Sequence, residues 1–392
     1  MIKREFKKGL YWAGAVDWDR RLFDSLIPLP DGTSYNAYIV RGTEKTAIID
    51  AVEPAMLDKL AAHLRDVPRI DYVVAHHAEQ DHSGGIPFVI GKYPEAVVLC
   101  TPQAKGMLID HLGIGEGRVR EVGDGETLAL GGKTLRFVHA PWVHWPETMV
   151  TYVEEDRVLF SCDWFGSHLA TSELFVSDEA AIYEPAKRYF AEIMMPFRAI
   201  IRKNLEKIKD LPIEIIAPSH GPLFNRPKFI IDAYKEWTSD TPKNEVVIPY
   251  VSMHGSTAIL VDRLAAALVD KGILVHPFNL AVMDVGKLAM SLVDAATIVV
   301  GCPAVHVGPH PAALYAVALA NALRPKARFA SVVGSYGWGN RIVETIKGLI
   351  PNLKVELLAP VIAKGLPRVA DLKAIDALAG ALAEKHKSLN LI

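Results

Sequence analysis

The sequence predicts an α/β protein of two domains, and three observations predict it. At 392 residues the chain is long for a single hydrophobic core. Short apolar runs rich in β-branched residues recur, each ending in a polar loop and separated from the next by segments of helical spacing. The pattern then changes after the polar stretch 238–244, which reads as a linker and places domains at 1–243 and 244–392. Hydrophobic residues make up 50% and charged residues 22%, with a net charge of -2, so nothing marks a nucleic-acid partner. The basic start of the chain lacks the apolar core of a secretion signal, and no apolar run reaches membrane-spanning length. Cys100, Cys162 and Cys302 form no CxxC pair, so neither a disulfide framework nor an iron–sulfur site is encoded, and a cytoplasmic, reducing location is expected.

In the first domain the apolar runs at 72–75, 96–100, 134–138, 149–153, 158–160 and 213–217 read as strands. Segments 54–66 and 103–111 read as helices, and 178–210 as helical sequence interrupted near Pro185 or Pro196. In the second domain, strands at 245–251, 273–278, 295–300, 328–333 and 354–359 are expected. They alternate with helices at 256–271, 311–323, 340–350 and from about 369, which predicts a five-stranded, doubly wound parallel sheet.

Metal-binding side chains stand at four of the strand ends. His77-Ala78-Glu79-Gln80-Asp81-His82 follows the first strand, and His144, Asp163 and His220 each follow a later one. Clustered imidazoles and carboxylates joined by single distant ligands are expected of a catalytic metal centre, where several loops supply ligands and some positions stay open. Either His144 or His220 alone would read as a structural histidine. The convergence of all seven groups does not. Hydrolases of the metallo-β-lactamase fold hold zinc with His-x-His-x-Asp-His, whereas here Glu79 stands where the second histidine belongs. Two ferrous ions bring four positive charges, and Glu79, Asp81, Asp163 and a bridging hydroxide neutralise them. The expected assignment is His77, Glu79 and His144 on one iron, Asp81, His82 and His220 on the other, and Asp163 between them. His82 is equally able to act as a hydrogen-bond partner of a ligand. His76 is expected to point away.

A second constellation lies in the later domain. Ser252-Met253-His254-Gly255-Ser256-Thr257 links a strand to a helix with hydroxyls and a glycine, and without a lysine or arginine. This chemistry suits one phosphomonoester on a helix N-terminus, as in FMN, although a plain capped helix would look the same. Two further strand-end loops, 301–308 with Pro303, Ala304, Val305 and His306, and 334–339 with Ser335, Tyr336, Gly337 and Trp338, would complete a flavin crevice, an aromatic stacking on the ring.

Together these residues resemble the flavodiiron proteins, which join a metallo-β-lactamase-like αββα diiron domain to a flavodoxin-like domain. The resemblance spans essentially the whole chain and rests on the seven ligands, the segment 141–149 and the three loops. It implies FMN, a nonheme diiron centre, and reduction of O2 to water, of NO to N2O, or of both. It also implies a head-to-tail homodimer or a dimer of dimers, with the flavin of one subunit beside the iron pair of the other. Cys302, Ala304 and His306 replace hydroxyl and amide side chains that are usual in the second loop. With no rubredoxin or flavin-reductase segment after Ile392, a separate electron donor is expected, either a rubredoxin or reduced coenzyme F420. The competing readings are a metal-dependent hydrolase of the metallo-β-lactamase fold and an electron carrier with a degenerate metal site.

Overall fold

The computed structural model describes residues 3–392, and the chain divides into two compact units, Met1–Thr238 and Ser239–Ile392. The first unit is built on two sheets. One has seven strands in the spatial order Arg4–Lys7, Leu10–Trp12, Tyr38–Arg41, Thr46–Ile49, Tyr72–Val74, Val97–Cys100 and Val119–Glu121. The other has five, Thr127–Ala129, Thr134–His139, Met149–Val153, Val158–Cys162 and Ile215–Pro218, side by side in chain order.

Side-chain alternation explains the layering. Along Thr46–Ile49, Ala47 and Ile49 join Tyr38, Val40, Phe137 and Phe160 in a core shared by strands of both sheets. Ile48 points the other way and joins Ile39 and Val73 with Leu60, Leu64 and Leu108 from the helical segments. A sheet buried on both faces needs apolar residues at successive positions, which is why these strands read as continuous runs. The first 50 residues contribute strands that the sequence reading did not anticipate: Arg4–Lys7 is too short and mixed to show a period, whereas Tyr38–Arg41 and Thr46–Ile49 do carry the successive apolar residues of strands buried on both faces. Pro185 lies inside the helix Glu179–Tyr189; the interruption falls at Phe190–Phe197, a π turn followed by a 3-10 turn containing Pro196. The helix Pro227–Thr238 then fills sequence that had suggested only an approach to a linker.

The second unit is a parallel sheet in the order Leu274–Asn279, Lys243–Tyr250, Ala295–Val305, Phe329–Tyr336 and Glu356–Leu357. Chain order reverses beside Lys243–Tyr250, which opens a crevice at the C-terminal strand ends. The last strand is shorter than expected. Pro360, which has no N–H, separates Glu356–Leu357 from Val361–Lys364, and both pieces pair with Phe329–Tyr336. A further helix, Val285–Asp294, is capped by Asp284, whose carboxylate accepts from the Gly286 and Lys287 amides. No helix among the described residues is long and apolar enough to cross a membrane.

Candidate metal centre and phosphate-binding loops

Each candidate metal ligand is delivered by a local device. Beyond Tyr72–Val74 the chain enters the single helical turn Gln80–Ser83, which carries Asp81 and His82 and starts from the Glu79 carbonyl. The Ala51 amide holds this turn by donating to the His82 carbonyl at 2.8 Å. His144 sits in the loop 140–148, closed by Ala140 N–H on the Thr148 carbonyl and pinned by Asn204 on Pro141 and Thr101 on Glu147. The strand Val158–Cys162 ends in a bulge, and Cys162, at φ 53°, turns the chain into Asp163. His220 follows Ile215–Pro218, where Asn36 donates to the carbonyls of Pro218 and Gly221. Gly221 has φ +80°, and a Cβ there would lie 2.1 Å from Ser167 Oγ, so both conformation and space require glycine.

The side chains gather into two groups of donor atoms, each group within 4.8 Å: His77, Glu79, His144 and Asp163, and Asp81, His82 and His220. In the first, Glu79 Oε2 is 3.0 Å from His77 Nε2 and 3.2 Å from His144 Nε2. In the second, Asp81 contacts His82 Nε2 at 3.3 Å and His220 Nε2 at 3.2 Å. Asp163 spans the two. Its Oδ2 is 3.6 Å from His77 and 3.4 Å from His144, while its Oδ1 is 3.0 Å from His82 and 3.3 Å from His220.

These spacings fit cations. Ligands about 2.0–2.2 Å from one ion lie roughly 3.0–3.5 Å from each other. Both oxygens of Asp81, Asp163 Oδ2 and His82 Nε2 are buried with no hydrogen-bond partner among the described residues, and such atoms are costly unless something else satisfies them. Without an ion the carboxylates hold the imidazoles protonated. Burial pulls each ring down, but hydrogen bonds donated to the Glu147 and Glu79 carboxylates push His77 up to about 10. Asp163 and Asp81 likewise raise His220 to about 10. His82 and His144 rise to about 9. Glu79 and Asp163 are held far below the usual carboxylate range despite burial, through these imidazoles. Two divalent ions would replace the shared protons, since the ligands are then neutral rings and ionised carboxylates.

Several residues that the sequence reading missed orient this set. Glu147 Oε1 accepts from His77 Nδ1 at 2.7 Å and from the Ala78 amide at 3.0 Å. The Ser34 carbonyl accepts from His220 Nδ1 at 2.7 Å, which leaves Nε2 for an ion. The Tyr189 hydroxyl donates to Asp163 Oδ1 at 2.8 Å. His76 is engaged elsewhere, between Asp50 and Thr151. Trp145 stands edge-on to His77 at 4.8 Å and covers it, whereas Trp164 and Phe165 stack on each other in the core. Only spatial proximity identifies these partners.

In the second unit, a cavity of about 260 Å³ opens at the strand ends. Ser252, Met253, His254, Ser256 and Thr257 line it from the first loop, Pro303 and Ala304 from the second, and Ser335, Tyr336 and Gly337 from the third. Gly365 and Leu366 also line it and were not anticipated. Gly255, at φ +91°, turns the chain into the helix Ser256–Val269 without lining the cavity. Val305, His306 and Trp338 do not line it either. Val305 pairs with Gly308 in a hairpin whose left-handed turn is His306-Val307, and Trp338 is 79% exposed. The hydroxyls of Thr257 and Ser335 lie 3.1 Å apart. The amides opening the helix and these hydroxyls suit a phosphate ester, and the apolar remainder suits a planar ring.

Comparison with known proteins follows the same division. The profile of the family described as "ODP family beta lactamase" matches residues 33–221, a span containing every candidate metal ligand. A nitric oxide reductase of Moorella thermoacetica is 36% identical over 90% of this chain and 90% of its own length. A coenzyme F420H(2) oxidase of Methanothermobacter marburgensis is 32% identical, covering 88% and 89%. Among solved structures, rubredoxin oxygen:oxidoreductase from Desulfovibrio gigas superposes with a TM-score of 0.95 at 28% identity, covering 100% of both chains. The flavodiiron protein of Giardia intestinalis does so with a TM-score of 0.92 at 26% identity, covering 99% and 97%.

Proposed function

This chain belongs to the flavodiiron protein family, and on that premise we propose that it reduces O2 to water, NO to N2O, or both, at a nonheme diiron centre supplied with electrons through FMN. It is an oxidoreductase. The observation that carries the reading is the placement of Asp163, with one carboxylate oxygen against each of two adjacent ligand groups. His77, Glu79 and His144 would hold one iron, Asp81, His82 and His220 the other, and Asp163 would bridge them. When bound, the irons and FMN supply two electrons each and open positions for a diatomic molecule, enough for O2 to reach water.

The protein's own task is ligation, orientation and exclusion of water. Glu147 and the Ser34 carbonyl fix the tautomers of His77 and His220, so that each Nε2 faces the pocket. Tyr189 donates to the Asp163 oxygen that faces His82 and His220, which holds the bridge at one angle. Trp145 closes the side next to His77. The hydroxyls of Ser252, Ser256, Thr257 and Ser335 and the helix start at Ser256 would hold the FMN phosphate, and Tyr336 would lie against the ring.

A separate donor is part of this reading. The names of the relatives support a rubredoxin or reduced coenzyme F420. A head-to-tail homodimer is supported by apolar side chains left in water on both units: Met253, Trp338 and Leu366 near the cavity, and Trp18, Leu22, Leu26 and Trp142 on the metal-binding unit. A cytoplasmic location fits the reduced cysteines, all three of which are free and buried.

Stopped-flow reoxidation tests the reading. Protein reduced anaerobically is mixed separately with O2 and with NO, and loss of reduced flavin is followed. Fast reoxidation by one gas names the principal substrate; comparable rates with both indicate dual use. Reaction with neither, in protein carrying zinc, would favour the hydrolase.

A further inference from the structure

Asp81 and His82 ride on the helical turn Gln80–Ser83, whereas His220 lies just beyond the strand Ile215–Pro218, in a segment that is neither helix nor strand. Its backbone groups therefore need partners from elsewhere. They find them in one stretch near the start of the chain. The Asn36 amide donates to the Ser219 carbonyl at 2.8 Å, and the Asn36 side chain donates from Nδ2 to the carbonyls of Pro218 and Gly221, both at 2.8 Å. Ser34 Oγ accepts from the Gly221 amide at 2.8 Å, and the Tyr38 hydroxyl donates to the Pro218 carbonyl at 2.6 Å. Residues 34, 36 and 38 are alternate positions, and all three buried side chains reach the same loop.

Asn36 is itself aimed by an earlier residue. Trp12 Nε1 stands 2.8 Å from Asn36 Oδ1. An indole N–H can only donate, so Oδ1 must face Trp12, and both hydrogens on Nδ2 are left for the two carbonyls. Trp12 is held in turn. The Arg4 guanidinium lies 4.5 Å over its ring and donates to the Ser172 carbonyl at 2.8 Å, while His63 stands edge-on at 5.6 Å. A line of contacts thus runs from the first strands of the chain, through one amide with its acceptor and both donors in use, to the segment that carries His220.

We propose that Asn36 is a positioning residue for the ion that Asp81, His82 and His220 would hold, and that Trp12 acts on the same ion through Asn36. The inference rests on the diiron reading for the presence of an ion at this position. Pro218 and Gly221 bracket Ser219-His220, so releasing their carbonyls frees the backbone beneath the imidazole, while the Ser34 carbonyl by itself fixes only the tautomer. A ligand nitrogen must stand about 2.0–2.1 Å from its ion, so a small shift of that backbone is felt as lost affinity. His77, Glu79 and His144 take no part in these bonds, which confines the effect to one ion of the two.

The test uses iron- and FMN-loaded protein carrying Asn36→Asp, Asn36→Ala, Trp12→Phe, or Asn36→Ala with Trp12→Phe. Competitive chelation measures the affinity of each ion, and anomalous diffraction at the iron edge after partial chelation shows which position has emptied. Circular dichroism and flavin absorbance report folding and FMN. Asn36→Asp puts an oxygen where the two-hydrogen donor stood, so at most one of the two carbonyls keeps a partner. A ~100-fold loss at the His220 position is expected for it, and a ~10-fold loss for Trp12→Phe, the span of outer partners of metal ligands, with the other ion unchanged. In the Asn36→Ala background Trp12→Phe should add nothing, because its route to the ion is gone. Parent affinities in Asn36→Asp overturn the proposal, and so does equal weakening of both ions, the mark of general loosening. An undiminished effect of Trp12→Phe in the Ala background overturns the route through Asn36, and this cycle decides the matter if Asn36→Asp does not fold. Zinc in place of iron, or no turnover of the unmutated protein with either gas, would instead overturn the reductase reading, and the same occupancies would still judge Asn36.

Discussion

Glu147 offers the most direct test of how the protein tunes its proposed metal ligands. The carboxylate is 1% exposed and uses a single oxygen to accept from both His77 Nδ1–H and the Ala78 amide, at 2.7 and 3.0 Å. Glu147→Gln retains an acceptor in the same place but removes the charge. Exchanging a charge-assisted hydrogen bond for a neutral one costs about 1–1.5 kcal/mol. The expected result is a ~10-fold loss of metal affinity, confined to the ion that His77, Glu79 and His144 would hold. Glu147→Ala also leaves the Ala78 amide unpartnered, so a loss nearer 100-fold is expected, the upper end for outer partners of metal ligands. Competitive chelation of the loaded protein, with circular dichroism to confirm folding, reads both numbers. Two ions released with the parent's affinities in the Gln variant would refute the argument, as would equal weakening of both ions.

Three further outcomes are expected. Asp163→Asn should lose most O2 or NO turnover while flavin absorbance shows FMN retained; full turnover would sink the bridging role. Gly221→Ala places a Cβ against Ser167 and strains a left-handed residue, so a loss of about 2–4 kcal/mol in chemical denaturation and weaker metal retention are expected. His386 is buried between Asn244 and Thr297, and burial lowers its pKa below 6.5. The unfolded chain therefore binds a proton that the folded chain refuses, so stability is full above about pH 6.5 and falls as the pH drops toward the folded value. Thermal melts between pH 7.5 and 5 should show this slope, and His386→Gln should flatten it.

The sequence determined much of this protein by itself. Periodic apolar runs located most strands of the metal-binding unit beyond residue 50, because a strand buried on both faces leaves a local signature. The ligand types and their places at strand ends were equally local, as were the three loops at the crevice. Where the sequence reading stopped, the reason was distance along the chain. Glu147 meets His77 across 70 residues, and the Ser34 carbonyl meets His220 across 186. No periodicity announces such a pair, because each partner looks ordinary in its own segment. Of the strands before residue 50, Arg4–Lys7 and Leu10–Trp12 owe their form to pairing with neighbours in the sheet more than to their own composition, whereas Tyr38–Arg41 and Thr46–Ile49 carry a legible apolar run. Which oxygen of Asp163 faces which imidazole, and which loop residues line the cavity rather than pass it, were decided only by tertiary packing. Folding sets those distances within fractions of an ångström, whereas sequence pattern is confined to near neighbours.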